Sequence, residues 1–402
     1  MSGEPAVVTG LGAVSGFGWG VGELWRGVAS GRTAIRDFRR FDHSGYRTHL
    51  AAEVPEAANG DGSRRRTWAD RFALAAASEA LAAAGLPARL DGFAAGLFFG
   101  GSTGGMLESE EYFRVQGEGG GCAQIAVLAS QQPSGPGDAV ARRHGVGGPV
   151  ETIASACASA TLALGSALDA LRSGEIDVAL VGGSDALCRL TFSGFNALRA
   201  VDDRPCRPFR ASRLGMSLGE GAAVLVLESR AHAARRGAPV RGGIAGVGGS
   251  CDAFHMTSPD PAGDGIARAV VAALADAGLD AGAIDFVNLH GTGTLANDAA
   301  EARMLARLFG ERAARLPATS TKAAIGHYLG AAGAVEALVT LLCLEHGELH
   351  PTAGGGAADP ALGVDLVVER PRPLPAARRA LSTNLAFGGA NGACVLLHPE
   401  AL

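Results

Sequence analysis

Short, apolar runs alternate along this chain with long alanine-rich stretches, and that alternation restricts the possible folds more than any single motif. The runs at 97–99, 178–181, 223–227, 286–289 and 393–397 read as buried strands, and the stretches at 71–84, 158–172, 266–277, 299–308 and 331–346 read as helices. Such alternation predicts α/β layers around a central sheet. With 402 residues the chain can bury a large core, as one big domain or two intimately packed halves. Each half opens on a strand-like run (6–9 and 240–247) and later reaches a small-residue turn leading into a helix. The polar, arginine-rich stretch 229–242 separates them, giving expected halves of 1–240 and 241–402.

The 60 glycines are about twice the usual share and carry no collagen period, so they mark tight turns and close backbone approaches. A net charge of −5 argues against a nucleic-acid binder, which would be basic. Seven cysteines, odd in number and never in a Cys-x-x-Cys pair, fit neither a zinc site nor a disulfide framework. Neither a signal peptide nor an apolar stretch of about 20 residues is evident, so no membrane span and a cytoplasmic location with reduced thiols are expected.

Lys322 is the only lysine beside 34 arginines. An ammonium retained at one position suggests a site that needs a compact, three-donor charge which a planar guanidinium cannot imitate. Cys157 sits in Ser155-Ala156-Cys157-Ala158-Ser159, where a strand-like run passes into an amphipathic helix. A cysteine at a helix N-terminus feels the positive end of the dipole, which favours thiolate, and small neighbours admit a substrate carbonyl. The competing reading is a structural cysteine in a packed turn.

His290 opens His290-Gly291-Thr292-Gly293-Thr294 at the carboxyl end of a strand, where α/β sheets place ligands. Asp298 and Glu301 follow on the next helix and could orient that loop or cap the helix. His327 lies five residues after Lys322. Neither histidine has metal-type spacing, so no metal is expected and hydrogen bonding or proton handling is preferred to zinc. The run 382–392 is a strand, a glycine turn with Phe387 at its tip, and a second strand.

Together these segments, with Val7-Val8-Thr9-Gly10-Leu11-Gly12 and Leu218-Gly219-Glu220-Gly221-Ala222-Ala223, resemble the elongating β-ketoacyl synthases of the thiolase-fold condensing enzymes across nearly the whole chain. The resemblance implies a thiolase-like fold of two pseudo-equivalent α/β halves, layered α-β-α-β-α. It implies decarboxylative condensation of a Cys157-bound acyl thioester with a malonyl unit on acyl carrier protein, in fatty acid or type II polyketide or polyene synthesis. No cofactor beyond the carrier's phosphopantetheine is implied.

In that resemblance His290 and His327 assist decarboxylation, while Lys322 supports the His327 loop through an ion pair with Glu336 or Asp298. The amides of Cys157 and Phe387 form the oxyanion hole. Thr292 and Thr294 line the malonyl-phosphopantetheine channel, Phe387 gates between the two half-reactions, and Gly388, Gly389 and Asn391 join them as substrate-binding residues. Met106 and Leu107 are expected at the floor of the acyl pocket, and the glycine-rich run 117–121 departs from the family where that pocket is shaped.

A carrier-protein docking face should carry clustered cations. Arg64, Arg65, Arg66 and Arg71 form one candidate, and Arg204, Arg207, Arg210 and Arg213 another. The expected assembly is a homodimer or a heterodimer with a ketosynthase paralogue. A non-catalytic chain-length-factor subunit and a thioester hydrolase using Cys157 and His290 are the competing functions.

Overall fold

The computed structural model describes residues 3–56, 66–119 and 125–402. Ten strands follow one another across an eleven-stranded sheet. They are β1 (Ala6–Ser15), β2 (Ala95–Gly100), β3 (Val150–Ile153), β4 (Val178–Asp185), β5 (Gly221–Glu228), β6 (Gly242–Cys251), β7 (Phe286–Asn288), β8 (Ala318–Thr319), β9 (Arg379–Leu385) and β10 (Ala390–Leu397).

At the centre β1 and β6 lie antiparallel. From each, the pairings run outward in the same way. β1 is antiparallel to β5 and β5 to β4, and β2 then β3 are added in parallel. β6 is antiparallel to β10 and β10 to β9, and β7 then β8 are added in parallel.

Helices fill the layers: α1 (Trp68–Ala83), α2 (Met106–Gly117), α3 (Ser159–Arg172), α4 (Asp264–Ala277), α5 (Leu295–Phe309) and α6 (Ala332–His346). α1 covers β1 and β5 on one outer face, and α4 covers β6 and β10 on the other. Between them α3 and α6 touch each other and strands of both halves of the sheet. The result is the expected α-β-α-β-α layering. α6 is apolar on every side, and all but its last two residues are buried. The run Leu329–His346 is long and apolar enough by composition to cross a membrane, but here 89% of it is buried as the core helix.

Local chemistry moves some boundaries. α1 starts at Trp68, ahead of the expected 71, because Thr67 and Asp70 form a reciprocal capping box. α5 starts at Leu295 because the Thr294 side chain accepts from the Asn297 N–H. The stretch 229–242 is not a plain linker: Arg230–Arg236 form a helix capped by Ser229, with Arg236 paired to buried Glu228.

Candidate active site

Cys157 and His327 are brought together by two turns of the same shape. Each is a short 3-10 turn, Ala156–Ala158 before α3 and Leu329–Ala331 before α6. Each turn opens on a non-glycine residue in the left-handed region, Ala156 at φ 45° and Leu329 at φ 50°. That conformation costs about 1–2 kcal/mol per residue and persists only where packing enforces it. Close approach of α3 and α6 supplies the enforcement. A Cβ on Gly333 of α6 would lie 2.2 Å from Thr161 Oγ1 and 2.7 Å from its backbone nitrogen, so only glycine fits.

Cys157 Sγ lies 3.0 Å from His327 Nε2. The rings of His290 and His327 meet edge to face at 5.1 Å. All three side chains are buried and line the base of one cavity of about 300 Å³, with Thr292, Thr294 and Phe387. Burial pushes the Cys157 thiol up to about 11, against the opposing pull of Lys322 and the Phe387 N–H. The expected pull of the helix dipole toward thiolate is therefore outweighed: desolvation is the larger effect.

Hydrogen bonds fix the tautomers. The Leu329 N–H donates to His327 Nδ1 at 3.1 Å. His290 Nδ1 receives the Lys322 ammonium at 2.9 Å and the Asn384 amide at 3.2 Å. With each Nδ1 an acceptor, each Nε2 carries the proton and points toward the cavity. Burial, aided by the charge on Lys322, holds both imidazoles well below their ordinary value and so neutral. Cys157, His290 and His327 place their ligand atoms within 4.8 Å of one another, a spacing that could hold a metal ion. The sequence spacing gives no sign of this cluster. As hydrogen-bonded here, however, it offers N–H donors rather than lone pairs, with a buried ammonium alongside.

Lys322 has all three N–H groups committed: to His290 Nδ1, to the His290 carbonyl at 2.8 Å, and to Glu336. The ion pair with Glu336 matches one of the two expected partners. The support it gives is corrected, because Lys322 braces His290 rather than the His327 loop. Asp298 is not its partner; it accepts from the Phe209 and Gly293 N–H groups and faces Arg213. Glu301 holds the loop itself, accepting from the backbones of His290 at 2.8 Å and Gly291 at 2.7 Å and from the Asn297 and Thr383 side chains.

The other candidates scatter. Thr292 and Thr294 line the cavity with their hydroxyls 3.0 Å apart. Asn391 is buried behind the Phe387 turn, donating to Asp252 and to the Gly389 carbonyl, and Gly388 and Gly389 are the left-handed residues of that turn. Met106 and Leu107 begin α2 in an aromatic cluster with Phe38, Phe41 and Phe192, one layer behind Phe195 at the cavity wall.

Arg207 is no docking cation. It is buried and paired with Asp202 at 2.6 Å, and Arg210 and Arg213 are buried as well. Arg71 lies over the Trp68 ring at 4.0 Å, and Arg66 is exposed at the head of α1. Arg64, Arg65 and residues 120–121 of the glycine-rich run lie outside the described residues. Sequence reasoning missed Thr161, Phe195, Arg199 and Asn384. Asn384 stood in the Ser-Thr-Asn run before Phe387, but nothing local distinguished it.

A duplicated α/β scaffold that buries a cysteine against two neutral imidazoles has the form of a thiolase-like acyltransferase. Comparison narrows the class. Residues 3–233 match the model of the β-ketoacyl synthase N-terminal domain, and 241–355 that of the C-terminal domain. Nodulation protein E of Rhizobium meliloti (strain 1021) is 38% identical over 393 residues, 96% of this chain and 97% of that protein. The 3-oxoacyl-[acyl-carrier-protein] synthase 2 of Staphylococcus aureus (strain N315) is 33% identical, covering 98% of each chain. Among solved structures, the ishigamide ketosynthase/chain length factor superposes with a TM-score of 0.91 at 34% identity, covering 99% of this chain and 100% of that one. The chain belongs to the β-ketoacyl synthase family.

Proposed function

We propose that the chain carries out decarboxylative condensation between a Cys157-bound acyl group and a malonyl thioester borne on acyl carrier protein. The observation that carries this reading is the pair of Nε2–H donors converging beside Cys157. In the first half-reaction the thiol displaces a carrier thiol from an acyl thioester. The Cys157 S–H proton leaves with that thiol. In the second, loss of carbon dioxide from the malonyl group leaves an enolate, whose oxygen the Nε2–H groups of His290 and His327 stabilise. The enolate carbon attacks the acyl-cysteine carbonyl. Its oxygen is received by the Cys157 and Phe387 amides, and Cys157 leaves and takes a proton from solvent. Carbon dioxide loss drives the reaction, and the groups present supply the charge stabilisation it needs.

Neutral imidazoles suit this role, because each donates a hydrogen bond without delivering a proton that would quench the carbanion. For the carrier we keep the arginines at the head of α1, Arg66 and Arg71 with Arg64 and Arg65 beyond the described residues, and drop Arg207. A chain-length-factor role is the second reading, since one structural relative is a ketosynthase/chain length factor. Cys157, poised against His327, favours catalysis. Cys157→Ala should abolish transfer of an acyl group to the protein and all condensation product, while malonyl decarboxylation persists. Full condensation by Cys157→Ala, alone or with a partner subunit, would exclude a catalytic role for this cysteine. Free acid formed without carbon dioxide would point to the hydrolase.

A further inference from the structure

Asn384, next to last in β9, is fully buried and is committed on both ends of its amide. Its Nδ2 donates to Glu336 Oε2 at 2.7 Å and to His290 Nδ1 at 3.2 Å, and its Oδ1 accepts from the Thr161 hydroxyl. That orientation is fixed by chemistry: turning the amide over would set its carbonyl oxygen against the Glu336 carboxylate. Thr161 lies on α3, four residues beyond Cys157, so one amide joins the helix of the nucleophile to the imidazole on the far side of the cavity.

Lys322 alone does not define the ring. Its ammonium divides its three N–H groups among three acceptors, only one of them the ring, whereas an amide is planar and its direction is set by the groups at either end. Two donors on the single lone pair of Nδ1 leave Nε2 as the only nitrogen that can hold the proton. Cys157 itself meets His327 and the Phe387 N–H, and Asn384 touches neither.

We propose that Asn384 is a positioning residue for decarboxylation: braced by Thr161, its amide holds His290 as the Nε2–H tautomer with the ring aimed into the cavity. The inference rests on the condensing reading above. It follows that loss of the amide should separate the two half-reactions. Acylation of Cys157 should be spared and decarboxylation should not.

The test uses the full-length chain and two readouts: intact mass of the acyl-enzyme formed from an acyl thioester, and carbon dioxide released from a malonyl thioester. Wild-type protein that releases no carbon dioxide overturns the condensing reading itself. Given an active wild type, Asn384→Ala should lower carbon dioxide release on the order of 10- to 100-fold, within what positioned proton donors contribute. Acylation should stay within about threefold. Thr161→Val should shift in the same direction by less, and Thr161→Ser, which keeps the hydroxyl, should restore wild-type behaviour. Nitrogen-15 spectra of the imidazoles should show a sharp Nε2–H signal for His290 in the wild type and a shifted, broadened one in Asn384→Ala, where Lys322 alone meets Nδ1. Equal loss of both half-reactions, unchanged carbon dioxide release, or an unchanged His290 signal would each overturn the proposal. Should Asn384→Ala not fold, the Thr161 pair decides by the same readouts.

Discussion

Lys322 and Cys157 take opposite consequences from the same burial. The ammonium is stabilised because each of its three N–H groups has an acceptor, two on His290 and one on Glu336. A guanidinium fork could not aim at all three from one point, which gives a physical reason for a lysine here in a chain that otherwise uses arginine. The thiol has no comparable compensation, so burial raises it to about 11. Because the raised value means the thiolate is scarce at neutral pH, its fraction should climb about tenfold per pH unit toward 11. A free thiol would level off near 8.5. The rate of Cys157 alkylation by iodoacetamide, followed by mass spectrometry of its peptide, should still be rising between pH 9 and pH 10. A plateau below pH 9 would mean that His327 and the Phe387 amide outweigh desolvation.

Among the elements, the contact between α3 and α6 places the chemistry. Gly333→Ala would push a methyl into Thr161 and separate the two strained turns. The expected cost is about 1–3 kcal/mol, the usual range for overpacking, with condensation reduced beyond what the lost stability explains. Urea unfolding beside a rate assay measures both, and an undisturbed rate would show that the turns hold without this contact. The strands and helices were legible because their apolar runs and alanine stretches obey a local periodicity. Cys157, His290 and His327 were legible through their motifs. The wiring between them was not. Whether Lys322 reaches His290 or His327 depends on how the 290–294 loop packs against the 320–327 turn within one half, and no local pattern records that. The burial of Arg207 was hidden for a similar reason: its partner Asp202 is five residues away, on a segment whose path only the packed fold defines.

For the whole molecule, the two ends of the sheet differ. At one end β8 is two residues long, and Ala318 also bridges to Leu366, which covers that side. At the other end β3 has no further strand beside it among the described residues. The Leu97 N–H donates to the Pro149 carbonyl and the Gly101 N–H to the Ile153 carbonyl, so Val150 and Thr152 present their own backbone groups outward. An open edge that carries exposed Val150 suits pairing with a second ketosynthase-fold subunit, whether a copy or a paralogue. Thr152→Pro removes one outward N–H and leaves the bonds to β2 in place. It should lower the mass measured by light scattering from a dimer toward a monomer while leaving the melting temperature of the fold little changed. A stable dimer would move the interface elsewhere. The cavity of about 300 Å³ at the site has a consequence of its own, because Cys157 and both histidines share it. A chamber of that size holds one small guest. On the proposed chemistry the first carrier must have departed before the second can deliver, and between the two visits the covalent bond on sulfur would be the enzyme's whole memory of what it received.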